Sequence, residues 1–84
     1  MLTIRFFARL REETGSAERA VELPREGLTV AQLRGWLRGQ DARLAAALDD
    51  GRAVRTALNR RMCNGDATVQ DGDEVAFFPP VTGG

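Results

Sequence analysis

The segment from Leu28 to Leu37 constrains the fold more than any other stretch of the chain. Thr29 is followed three residues later by Gln32, the spacing of a capping box, in which two side chains and two backbone N–H groups satisfy one another at a helix start. Leu28 and Leu33 take the positions of a hydrophobic staple around the same cap. Val30, Leu33 and Leu37 then recur at i, i+3 and i+7, which puts them on one stripe that must be buried. Gly39 is the expected stop. Asp41 can cap a second, shorter helix, with Leu44 and Leu48 four residues apart. One main apolar helix face in 84 residues needs a sheet to lie on.

The rest of the chain supplies strands. Leu2, Ile4, Phe6 and Ala8 share one parity, and Thr3, Arg5 and Phe7 share the other. Arg9 to Thr14 is charged and has room for one helical turn before Gly15-Ser16. Residues 17–23 read as a second strand, with Val21 and Leu23 inward and Pro24 as its end. Residues 53–58 alternate weakly, with Val54, Thr56 and Leu58 on one side. Asn59-Arg60-Arg61, Asp49-Asp50-Gly51 and Asp71-Gly72 read as turns, and Thr68-Val69 is too short to assign. Glu74 to Phe78 alternates again, with Val75 and Phe77 on one face and Phe78 on the other, until Pro79-Pro80 stops pairing.

The order is strand, strand, helix, then two or three strands. It predicts an α+β fold over residues 1–84: a ubiquitin-like β-grasp domain, with a mixed four- or five-stranded sheet and one main helix across it. A ferredoxin-like fold is the alternative. It needs a second full helix, and Asp41 to Leu48 spans only about two turns.

The residue inventory narrows function. The chain has no His, no Lys and no Tyr, so the usual general base, the Schiff-base amine and the commonest metal ligand are missing. One cysteine rules out an internal disulfide and a thiolate zinc site, and no metal is expected. Twelve arginines balance twelve acids, so no basic face for nucleic acid is expected. The longest uncharged stretch, Val75 to Gly84, has 10 residues, against roughly 20 for a membrane span. Arg5, Arg9 and Arg11 interrupt the N-terminus, which does not read as a signal peptide. The expectation is a cytoplasmic binding or carrier module with no membrane partner.

Four local features remain. Cys63 follows a turn and reads as a half-buried small residue; as a nucleophile it would lack a His or Lys partner. Asp71-Gly72-Asp73-Glu74 has the charge for a cation but not the loop length of an EF-hand, and reads as a solvated turn. Phe7 and Phe78 both fall on the wrong parity of their strands. In a β-grasp sheet the first and last strands are neighbours, so the two rings would lie side by side on the outer face. That is a docking surface, unless the register is off by one or Arg9–Thr14 covers them. Finally, Val81-Thr82-Gly83-Gly84 has no periodicity. Residues 79–84 read as a flexible tail, either a frayed end or a functional one. In the functional case the glycines suit a narrow channel, and Gly84 presents an unhindered carboxylate.

At these residues the chain resembles the small, sulfur-carrying subunit of molybdopterin synthase. The resemblance spans Phe6-Phe7-Ala8, Arg11-Glu12, Gly15, the Thr29-Val30 helix start and the Asp50-Gly51 turn. Its most specific part is the closing run from Asp71 through Phe77-Phe78-Pro79-Pro80 to Gly83-Gly84. The resemblance implies a carrier that is not an enzyme on its own and binds no permanent cofactor. An activating enzyme related to ubiquitin-activating enzymes consumes ATP to adenylate Gly84. A sulfur donor then makes the thiocarboxylate, which passes sulfur to a cyclic pterin precursor in the large synthase subunit. It implies a heterotetramer of two small and two large subunits. Pro80, Val81, Thr82 and Gly83 would lie in the large subunit's active site, and Phe7, Met62 and Phe78 would be its hydrophobic contacts. Cys63 and Arg60-Arg61 depart from the family's pattern. A ubiquitin-like protein modifier, or a sulfur carrier for thiamine or tRNA thiolation, is the alternative.

Overall fold

Eight elements follow one another along residues 1–80, the residues that the computed structural model describes. They are β1 (Leu2–Phe6), α1 (Arg9–Thr14), β2 (Glu18–Val21), α2 (Val30–Arg38), α3 (Ala42–Ala47), β3 (Arg55–Leu58), β4 (Arg61–Cys63) and β5 (Glu74–Phe78). The strands form one five-stranded sheet in the order β2-β1-β5-β3-β4. At its centre β1 and β5 run parallel, with Ile4 opposite Val75 and Phe6 opposite Phe77. The other neighbouring pairs are antiparallel. This is the β-grasp arrangement. The ferredoxin-like alternative does not hold, because α3 has only six residues and β1 pairs directly with β2.

The helix start forms as its spacing predicts. The Thr29 hydroxyl accepts from the Gln32 N–H at 3.1 Å, and the Gln32 side chain accepts from the Thr29 N–H at 3.0 Å. The stripe that follows is the core. Val30, Leu33 and Leu37 join Leu2, Ile4 and Phe6 of β1, Val75 and Phe77 of β5, and Leu44, Ala47 and Leu48 in one buried cluster. The Phe6 and Phe77 rings stack across the parallel pair at 6.0 Å and 20°. Asp41 caps α3, accepting the Leu44 N–H at 2.8 Å. Gly39 ends α2 at φ −82°, so the stop uses no left-handed residue. The Gly39 and Gln40 N–H groups instead bond back three residues, to Trp36 and Leu37.

The structure departs from the strand alternation at two boundaries. β1 ends at Phe6 because Ala8 turns to φ 55°, and the Ala8 carbonyl accepts the Arg11 N–H that opens α1. β2 stops at Val21, while Leu23 still packs on the core from outside the strand. Arg9–Thr14 is a six-residue helix that buries Leu10 and Thr14 and ends at a left-handed Gly15. Between β3 and β4, Asn59 and Arg60 both have positive φ, the signature of a two-residue hairpin turn, so Arg61 belongs to β4 and not to the turn. Asn59 tolerates that conformation, and its side chain ties the turn to the Glu74 N–H and to Asp73. Among the described residues no helix is long and apolar enough to cross a membrane.

Two predictions follow from this packing. Leu33 is fully buried, so Leu33→Ala should lower unfolding free energy by about 2–5 kcal/mol, and Thr29→Ala by about 0.5–2 kcal/mol. Urea denaturation checks both; a Leu33→Ala change within about 0.5 kcal/mol would remove that helix face from the core. The second concerns acid. Two hydrogen bonds and an ion pair from Arg52 hold the Glu13 carboxyl below its ordinary range. The Leu44 N–H, then Arg19, do the same for Asp41. A carboxyl depressed in the folded state stabilises fully above its unfolded value, near pH 4, and the contribution is lost as pH falls through the folded value. Melting temperature should therefore fall below about pH 4, and less so in Glu13→Gln/Asp41→Asn. An unchanged acid slope in that double variant would assign the loss to other groups.

Candidate functional site

The alternation that buries Ile4, Phe6, Val75 and Phe77 turns their neighbours to the opposite face of the sheet. Register places Glu18, Arg5, Ala76, Ala57 and Met62 in one row across all five strands. Phe78 stands opposite Arg55 in the next row. The Phe7 N–H donates to the Phe77 carbonyl at 3.1 Å, so Phe7 extends the ladder past the end of β1 and lies beside Phe78. Ala57 and Ala76 are buried on this outer face. They make a shallow floor among larger side chains, with Phe7 and Met62 41% and 55% exposed. Phe78 is half-buried, not exposed as its parity suggests. The reason is its strand: β5 has neighbours on both sides, whereas Phe7 lies past a strand end and Met62 on the sheet edge.

Charged side chains frame this apolar patch. The Arg5 guanidinium lies 5.2 Å from the centre of the Phe7 ring, a cation–π contact. A chain of ion pairs crosses the face: Glu18 to Arg5 at 4.0 Å, Arg5 to Glu74 at 3.8 Å and Glu74 to Arg60 at 3.6 Å. These are longer than hydrogen bonds, and at the surface each contributes little to folding.

The parallel pairing also fixes where the chain leaves the sheet. β1 and β5 finish at the same end, so the exit after Phe78 lies beside Phe7. Pro79 and Pro80 follow, both half-buried and without an N–H to continue the ladder. The expectations for Val81, Thr82, Gly83 and Gly84 lie outside the described residues.

The structure brings Phe7, Phe78 and Met62 to one face, and leaves the other candidates elsewhere. Cys63 is half-buried in β4, and its thiol lies 3.5 Å from the Thr56 hydroxyl. Arg60, its neighbour in sequence, is directed to Glu74 instead. In the Asp71–Glu74 run each carboxylate already has an internal partner. Asp71 pairs with the N-terminal ammonium, Asp73 accepts the Gln70 N–H, and Glu74 pairs with Arg5 and Arg60. Arg5, Arg55, Ala57 and Ala76 complete the face and were not singled out by the sequence. Their signal was small and charged residues at alternate positions, which says nothing until the neighbouring strands are known.

Related chains share this fold. The model of the ThiS family matches residues 4–84. The chain belongs to the ThiS family. The molybdopterin synthase sulfur carrier subunit of Escherichia coli strain K12 is 44% identical over 84 residues, the full length of both. Among solved structures, SAMP1 from Haloferax volcanii superposes with a TM-score of 0.80 at 30% identity, covering 99% of this chain and 98% of that one. A chain of the complex of subunits 1 and 2 of the molybdopterin-converting factor of Helicobacter pylori 26695 shares the fold at a TM-score of 0.64 and 23% identity, over 99% of this chain and 97% of that one.

In this ThiS family member the two sheet faces predict opposite outcomes for adjacent aromatic residues. Phe77→Ala should cost about 3–5 kcal/mol of folding stability. Phe7→Ala should stay within about 0.5 kcal/mol. Chemical denaturation of the two variants checks this, and equal losses would mean that Phe7 is held in the core.

Proposed function

We propose that this chain is a sulfur carrier for molybdopterin synthesis, the small subunit of a synthase whose large subunit holds the active site. One observation carries the reading. The residues that frame the exit of the last strand, Phe7, Phe78 and Met62, form an apolar patch at the base of a segment ending Gly83-Gly84, in a chain 44% identical end to end to such a carrier.

In this reading the chain performs no catalysis itself. An activating enzyme related to ubiquitin-activating enzymes uses ATP to adenylate the Gly84 carboxylate, releasing pyrophosphate. Activation is needed because a carboxylate does not react with nucleophiles. A sulfur donor then displaces AMP and leaves a thiocarboxylate. The outer face docks on the large subunit through Phe7, Met62 and Phe78, and Pro80, Val81, Thr82 and Gly83 lead Gly84 into that subunit's active site. There the sulfur bonds to the cyclic pterin precursor, and water cleaves the bond between the Gly84 carbonyl carbon and the sulfur, restoring the carboxylate. The complex is a heterotetramer of two small and two large subunits.

Three properties of the chain support this cycle. The docking groups stand on or beside paired strands, so their position relative to the exit is set before binding. Pro79 and Pro80 are already restricted in backbone conformation, so these two positions lose less entropy when the end of the chain is ordered in a channel. The absence of lysine leaves no side-chain amine on this chain for its own activated end to acylate.

A second reading, a ubiquitin-like modifier joined to protein lysines, is supported by the fit to small archaeal modifier protein 1; a carrier for thiamine or tRNA thiolation is the other alternative. Tagged protein recovered from its host separates the two, because a modifier accumulates as covalent adducts of higher mass.

The direct test is intact-mass analysis after incubation with the activating enzyme, ATP and a sulfur donor. Replacement of one oxygen by sulfur, localised to Gly84, is the expected result. Deleting Gly84 should abolish molybdopterin formation with folding unchanged. Gly83→Ala and Gly84→Ala should slow transfer about a hundredfold, the effect of displacing a reacting atom by about 1 Å. Sulfur on Cys63, or molybdopterin formed without Gly84, would overturn the reading.

A further inference from the structure

The outer face has one arginine whose charge no acid among the described residues answers. Arg5 lies between Glu18 and Glu74, and Arg60 beside Glu74. Arg55 is exposed and has no ion pair among the described residues. Of Arg5, Arg55 and Arg60, Arg55 alone stands outside the ion pairs that Glu18 and Glu74 make.

The position of Arg55 matters more than its charge alone. It stands directly opposite Phe78, and two residues along β3 from Ala57, which is opposite Met62. A surface that covers Phe78 and Met62 together must also cover Arg55. A guanidinium stripped of water without an acceptor is strongly unfavourable. Beside it a cleft of about 400 Å³ opens along β4, with Arg55, Thr56, Met62 and Asn64 on its walls. That volume takes a carboxylate side chain, and the planar fork of arginine matches a carboxylate with two parallel hydrogen bonds.

We propose that the large subunit's covering surface carries a carboxylate that enters this cleft and pairs with Arg55, which makes Arg55 a specificity-determining residue of the interface. The inference rests on the docking role proposed above. The apolar contacts supply most of the affinity, and the charge pair decides which apolar surface is accepted.

Calorimetric titration of the cognate large subunit tests it, at low and at high salt, with Arg55→Met, Arg55→Glu and Phe78→Ala. Arg55 is exposed, and thermal melts verify that both Arg55 variants are folded. Arg55→Met should bind about tenfold more weakly at low salt and lose much of the salt dependence; Arg55→Glu should bind about a hundredfold more weakly. Phe78→Ala should weaken binding by the same factor at both salts. Wild-type affinity in both Arg55 variants, with Phe78→Ala still weakened, overturns the charge pair and leaves the docking role standing. Wild-type affinity in all three variants overturns the docking role as well.

Discussion

The parallel pairing of β1 with β5 is the constraint on which the rest of this structure depends. It brings the first and last strands together at the centre of the sheet. On one side it stacks Phe6 on Phe77 over the main helix. On the other it sets Phe7 beside Phe78. Because both strands finish at the same end, it also places the chain's exit next to that aromatic pair. Fold stability and site geometry are thus two faces of one ladder. A register slip of one residue would move Phe6 and Phe77 outward and Phe7 and Phe78 inward.

The helices support that ladder through defined polar contacts at their ends. Thr29 and Gln32 close the start of α2, and Asp41 closes the start of α3. Arg34 reaches the carbonyls of Leu48, Asp49 and Arg52 beyond the end of α3. Glu13 of α1 holds Arg52 in the loop that follows. These bonds settle where α2 and α3 start and how they sit, while the buried leucines supply most of the driving force. The outer face carries instead the ion-pair chain from Glu18 through Arg5 and Glu74 to Arg60. Its ion pairs, at 3.6 to 4.0 Å, are longer than hydrogen bonds and leave Phe7 and Met62 exposed.

Much of the fold was legible in the residues because its local signals agree with one another. The capping box, the staple and the i, i+3, i+7 stripe all point to one helix in one place, and parity alone assigned Ile4, Phe6, Val75 and Phe77 to the interior. What was less legible followed from context. The early end of β1 came from Ala8 adopting a positive φ, which no propensity for alanine suggests. Phe78 is half-buried because its strand is central, a matter of sheet order and not of parity. For the docking face, Phe7 and Phe78 announced themselves as aromatics on a polar parity, and Met62 entered only through the family resemblance. Arg55 gave no signal, since an exposed arginine in a strand is ordinary until its neighbours are known.

The sequence by itself determined which residues are apolar, at what period they recur and where glycine and proline interrupt them. From these came the helix start, the strand faces and the chemistry that the chain cannot perform, having neither His nor Lys. Only the tertiary structure decided which strands are neighbours, and with that what stands opposite what. Glu18, Arg5, Ala76, Ala57 and Met62 are far apart along the chain and become one row through hydrogen bonds between strands. The physical reason is range. Capping, staple and parity are set by residues within a few positions of one another. Strand order is set by closing long loops over a shared core, and the face away from that core inherits an arrangement that its own residues did not specify.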